Sequence, residues 1–213
     1  MIYKMEDLVY IADNSLRTQA GLGNKRLHKN SESWAPYLRF LGLVVANYKP
    51  HACLELGVYM GTATTHMAFM NPRTLVIGVD REYHPAFPKV TEGYDNVVQI
   101  VGDTTLRETR DRVSEALELI DPLNKQRIGL LFLDSTHDGV TPKQEYELYS
   151  PFFDEECLVC CDDLIGPKRL QKKMKEFWDW LPGEKMELHY LHPSRYEQDD
   201  VPGFGISIVR RNA

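Results

Sequence analysis

The chain has no long apolar run, no excess of positive charge and no cysteine pattern that builds a site. Each absence narrows what it can be. No uninterrupted apolar stretch approaches the ~20 residues needed to span a bilayer. The opening residues, MIYKMEDLVYIADN, carry acids where a secretory leader needs an apolar core. A cytoplasmic protein without a membrane partner is the expectation. The balance of 25 Lys+Arg against 31 Asp+Glu leaves a formal charge of −6, which speaks against a generic electrostatic grip on nucleic acid. The four cysteines are Cys53, Cys157, Cys160 and Cys161. Cys157 and Cys160 spell C-x-x-C, but inside the apolar run CLVCC and with no second pair, whereas a structural zinc needs four ligands. Reduced thiols buried in a core are the simpler expectation. Repeats, low-complexity tracts and a convincing interdomain linker are also lacking.

What the sequence does contain is a regular series of short apolar runs: ACLEL (52–56), TLVIGV (74–79), NVVQIV (96–101), IGLLFL (128–133) and CLVCC (157–161). Each is apolar on both faces, as a central parallel strand must be. Helix-like stretches separate them. TATTHMAFM follows the first run. Thr105 and Glu108 form a capping-box pattern ahead of DRVSEALELI, and Thr141 with Pro142 repeats that logic ahead of EYELYSPFF. After the fifth run, Leu170, Met174, Phe177 and Leu181 share one helical face, with Trp178 and Trp180 expected to help bury that helix. MELHYL (186–191) and FGISIVRR (204–211) then read as two strands joined by the loop HPSRYEQDDVPG, which holds His192, Arg195 and Tyr196.

The alternation predicts a doubly wound, mostly parallel α/β sheet of seven strands ending in a C-terminal antiparallel pair. One domain over residues 1–213 is expected, with 1–50 an N-terminal helical segment and 51–213 the α/β core. Within the former, Trp34, Leu38, Leu41, Val45 and Tyr48 are spaced for an amphipathic helix that Ser31 or Ser33 can cap.

Ligands of such sheets bind beyond the carboxyl ends of the strands. All five parallel strand ends deliver a carboxylate: Glu55, Asp80, Asp103, Asp134 and the pair Asp162–Asp163. The turn after the first strand, CLELGVYMGTATT, places Gly57 and Gly61 four apart with Tyr59 between them. It lacks the G-x-G-x-x-G fingerprint whose second glycine admits a pyrophosphate. This disfavours a nicotinamide oxidoreductase and suits a nucleoside ligand without phosphate. Asp80 is placed to take the ribose hydroxyls, and Asp103 can accept from an adenine amino group. S-adenosylmethionine has that combination.

On LELGVYMGTAT, Asp80, FLDSTH (132–137) and Asp162–Asp163, over about residues 50–165, the chain resembles the class I S-adenosylmethionine-dependent methyltransferases. Within them it is similar to the metal-dependent catechol O-methyltransferase type. The resemblance implies the Rossmann-like methyltransferase fold. It also implies a cofactor site of Glu55, Gly57, Tyr59, Gly61, Thr62, Asp80, Asp103 and Asp134, and a metal site of Asp134, Asp162 and Asp163. Hard Mg²⁺ suits such oxygen donors. His137 stands where that family has a lysine base, and Asp163 where it has an asparagine.

Methyl transfer to oxygen needs an aligned acceptor and a deprotonated hydroxyl. A histidine titrating near about 6.5 can serve as base, so His137 is the candidate catalytic residue. The leading expectation is Mg²⁺-assisted methylation of a small hydroxylated molecule. The alternatives are a metal-independent O- or N-methyltransferase and a catalytically silent S-adenosylmethionine-binding protein. A homodimer is the default oligomeric expectation.

Overall fold

The computed structural model describes residues 2–17, 36–119, 122–123, 127–165, 168–188 and 203–211. Elements run α1 (Met5–Arg17), α2 (Pro36–Tyr48), β1 (Ala52–Leu56), α3 (Thr62–Met70), β2 (Leu75–Asp80), α4 (Phe87–Val90) and β3 (Val97–Val101). They continue with α5 (Arg107–Glu118), β4 (Ile128–Leu133), α6 (Thr141–Tyr149), β5 (Phe153–Ile165), α7 (Lys168–Trp180), β6 (Glu184–Leu188) and β7 (Gly203–Arg210). The seven strands form one sheet in the order β3-β2-β1-β4-β5-β7-β6. β1 to β5 pair in parallel, and β7 runs antiparallel to both its neighbours. The expected α/β sheet with its terminal antiparallel pair is therefore present.

Strand residues alternate between two cores, as a period of two requires. Cys53, Val76, Leu130 and Phe132 face the layer of α1, α2 and α3. Leu54, Ile77, Leu131 and Leu133 face the layer of α5, α6 and α7. Both sides of β4 are fully occupied, which explains its unbroken IGLLFL. All four cysteines are free and buried within these layers.

β5 is longer than the apolar run CLVCC because its pairing with β7 extends from Glu156↔Arg210 to Ile165↔Gly203. On α7, Met174, Phe177 and Trp178 are buried, as is Leu181 just beyond its end, while Trp180 stays partly exposed with the Lys143 ammonium 4.5 Å from its ring centroid. The opening helix α1 lies in the segment 1–50 expected to be helical, although no helical spacing is assigned to its residues in the sequence. It buries Leu8, Ile11 and Ala12.

Two capping expectations are corrected. Helix α5 begins after Leu106 with no side-chain cap; Thr105 instead gives its N–H and hydroxyl to Asp103 Oδ1. At α6, Asp138 rather than Thr141 closes the turn, accepting from the Val140 and Thr141 amides. In both places an aspartate two or three residues upstream captures the donor first. Ser31, Ser33, Trp34, residues 189–191 of the sixth expected strand, and the loop with His192, Arg195 and Tyr196 lie outside the described residues. So do the side chains of Leu170 and Asp163.

Candidate active site

β1 lies between β2 and β4, so the chain winds away in opposite directions from it and leaves a crevice beyond its carboxyl end. A cavity of about 540 Å³ opens there, walled by Gly57, Tyr59, Asp80, Thr104, Asp134 and Ser135 together with the segment 81–85. That volume is in the range of small-ligand sites.

The glycine turn is dictated by close approach. Gly57 has φ +90°, and a Cβ on it would collide with the Asp134 carbonyl. Gly61 has φ +85°, with the Phe87 ring 2.7 Å from where a Cβ would stand. Tyr59 also takes a left-handed conformation, φ 49°, uncommon for a bulky side chain. Its ring is largely exposed and meets the His84 imidazole edge-on at 4.6 Å.

The turn's amides have a specific use. Asp80 Oδ2 accepts from the N–H groups of Val58 at 2.8 Å and Tyr59 at 2.7 Å. Asp80 Oδ1 accepts from the Glu82 amide at 3.2 Å. Donors that would cradle a phosphate in a dinucleotide site are here committed to a carboxylate, which answers why Tyr59 can replace a glycine. These two amides are thereby unavailable to a ligand phosphate.

Among the sequence candidates, Gly57, Tyr59, Asp80 and Asp134 come together on the wall. Glu55 sits behind the turn, 2 % exposed, with its Oε2 accepting the Thr64 hydroxyl at 2.5 Å. Burial drives its pKa up to about 8, against the pull of the Thr64 hydrogen bond and with a smaller push from the Asp80 charge. Gly61 and Thr62 open α3 beyond the turn. Asp103 is engaged away from the cavity wall: besides Thr105, its Oδ2 lies 3.3 Å from Arg81 Nη2. Those Thr105 bonds hold its carboxyl below the usual range.

His137 is set just behind the wall, its Nε2 3.9 Å from Asp134 Oδ1 and both side chains about three-quarters buried. Asp162 is buried near the carboxyl end of β5. Among the described residues no three His, Cys, Asp or Glu side chains cluster closely enough to hold a metal ion.

Sequence reading missed Glu82, Thr104, Ser135 and Glu145. Glu145 in KQEYELY looks like an exposed helical acid, yet it is fully buried. Its Oε1 accepts from Thr104 and Ser135 hydroxyls, each at 2.5 Å. Burial raises its pKa to about 7, opposed by those two hydrogen bonds and assisted by Asp138 and Asp103.

Residues 54–164, just over half of the chain, match the family model described as a methyltransferase domain. The chain belongs to that family and is a class I S-adenosylmethionine-dependent methyltransferase. No curated protein matches it by sequence. Solved structures resemble it over nearly all of its length. An O-methyltransferase from Bacillus cereus in complex with SAH has a TM-score of 0.60 at 15% identity, covering 99% of this chain and 93% of that one. The O-methyltransferase TomG from Streptomyces achromogenes, involved in tomaymycin synthesis and solved with SAM, gives 0.63 at 14%, covering 99% and 92%. At such identities the likeness speaks for the fold. Among the described residues no helix is long and apolar enough to cross a membrane.

Proposed function

We propose that this chain, acting as one domain, moves the methyl group of S-adenosylmethionine to a hydroxyl of a small molecule. The observation that carries the reading is the pair of Val58 and Tyr59 amides bonded to Asp80 at the cavity wall. It fixes a carboxylate beside a nucleoside-sized space and removes the donors a pyrophosphate would need. Asp80 retains acceptor capacity for about one ribose hydroxyl, since a carboxylate offers about four lone-pair sites and the Val58, Tyr59 and Glu82 amides take three.

In the reaction, an unprotonated imidazole nitrogen of His137 takes the acceptor's hydroxyl proton. The oxygen forms its bond to the methyl carbon in line with the breaking carbon–sulfur bond, and that electron pair neutralises the sulfonium. Asp134, 3.9 Å from His137 Nε2, stabilises the imidazolium as it forms. The side chain of Asp163 lies outside the described residues, so Asp134 and Asp162 are the described members of the candidate Mg²⁺ set. Mg²⁺ is commonly held by one or two carboxylates, with water and substrate oxygens completing the octahedron. Proton removal is assigned to His137. When bound by Asp134, Asp162 and Asp163, Mg²⁺ would supply further stabilisation of the acceptor oxygen's negative charge.

Calorimetric titration with S-adenosylmethionine, in Mg²⁺ and again in EDTA, tests this. Binding by the wild type that Asp80→Ala abolishes, while its thermal unfolding stays cooperative, is the expected result. Direct Mg²⁺ binding that Asp134→Ala removes would add the metal. Absence of cofactor binding in both conditions overturns the proposal, and tight binding without turnover on a panel of hydroxylated acceptors overturns its catalytic part.

A further inference from the structure

Glu145 is fully buried behind the cavity, and among the described residues its Oε2 makes no hydrogen bond. Its Oε1 is shared by two hydroxyls that come from distant segments, Thr104 after β3 and Ser135 after β4. Two strands, β2 and β1, separate β3 from β4 in the sheet. One carboxylate thus joins the two sides of the crevice, and both residues it holds also line the cavity.

The direction of these bonds has a chemical result. Ionised, or protonated on the unpartnered Oε2, Glu145 accepts at Oε1, so each hydroxyl must give it the only proton it has. What remains on Thr104 Oγ1 and Ser135 Oγ is lone pairs. Of the hydroxyls on this wall, those of Thr104 and Ser135 therefore act as acceptors and not as donors, while the neighbouring Thr136 is not held by Glu145. Asp103 cannot readily share the task, because Thr105 and Arg81 occupy its two oxygens. A ligand group facing the Thr104 and Ser135 side chains must bring its own N–H.

We infer that Glu145 is a positioning residue for base selectivity: by taking the protons of Thr104 and Ser135, it makes the cavity select a purine bearing an amino group over one bearing a keto oxygen. The inference rests on the S-adenosylmethionine reading above. With adenine in place, the exocyclic amine donates to this wall. A hypoxanthine base would set its keto oxygen against oxygens that have no proton to offer.

Affinities for S-adenosylhomocysteine and S-inosylhomocysteine, measured by calorimetry on the full chain, test the inference. The wild type should prefer the adenosyl ligand by about tenfold or more, the worth of one hydrogen bond exchanged for an unpaired acceptor. Thr104→Val keeps the shape without the hydroxyl, and Glu145→Ala frees both hydroxyls to rotate and donate. In both variants the ratio should fall toward one. Glu145→Gln retains an acceptor oxygen for the two hydroxyls and should keep most of the preference. A tether with a merely structural role would weaken both ligands equally, and an unchanged ratio in Thr104→Val and Glu145→Ala overturns the inference. Should Glu145→Ala not fold, the ratios in Thr104→Val and Ser135→Ala decide between the same two outcomes. Failure of the wild type to bind either ligand would instead overturn the cofactor reading beneath it.

Discussion

Buried glutamates at opposite ends of the sheet are treated in contrasting ways. At the amino end of β5, Glu156 receives a cation and a backbone donor: Arg210 Nε donates to Oε1 and the Tyr3 amide to Oε2, both at 2.6 Å. Near the carboxyl ends, Glu55 and Glu145 receive only neutral donors: Thr64 gives Glu55 its hydroxyl and a backbone hydrogen bond, and Thr104 and Ser135 give Glu145 their hydroxyls. A guanidinium compensates a buried carboxylate far better than a hydroxyl can. The amino end is built for stability. The carboxyl end tolerates buried carboxyls without a cation and left-handed backbone at the wall of the candidate ligand cavity, a pattern common to functional sites.

Breaking the turn should have the largest effect. Gly57→Ala forces a Cβ into the Asp134 carbonyl at a φ of +90°. We expect a loss of roughly 2–4 kcal/mol in urea unfolding, and S-adenosylhomocysteine affinity should disappear, since the Asp134 segment must move. Next comes the opposite end. Glu156→Ala leaves the Tyr3 amide and Arg210 without their acceptor and should cost about 2 kcal/mol. Its affinity for S-adenosylhomocysteine should match the wild type; a tenfold drop there would erase the division between the two ends.

The smallest effect is a pH slope. Glu55 at about 8 and Glu145 at about 7 hold protons in the folded state that an unfolded glutamate, near 4.5, releases. Their contribution to stability is therefore complete below about pH 4.5 and declines as pH rises through 7 and 8, by on the order of 1 kcal/mol per pH unit for each group. Urea unfolding midpoints between about pH 5 and about pH 8 should fall in the wild type, and fall less steeply in Glu55→Gln. A flat wild-type profile would show that neither carboxyl is protonated in the fold.

The strands are legible in the sequence because burial on both faces leaves them almost wholly apolar, Glu55 excepted: ACLEL and IGLLFL coincide with β1 and β4. Helix α3 is legible from the glycine before it. The caps at Thr105 and Thr141 are not, because the local pattern does not reveal which of two nearby side chains reaches the amide first. Glu145 is illegible for a different reason. Its burial depends on Thr104 and Ser135, 41 and 10 residues away, meeting at one helix face. The strand-end aspartates are visible as a set, but not that Asp80 holds the turn while Asp103 pairs with Arg81.

The anchorage of Tyr3 also constrains the order of assembly. Its hydroxyl donates to the Gly129 carbonyl and its amide to Glu156, partners 126 and 153 positions along the chain. Neither acceptor exists in place until β4 and β5 have paired, and closing loops of that length is slow. A segment synthesised well before its acceptors is thus among the last to find its seat. Until it does, the underside of the sheet stays open.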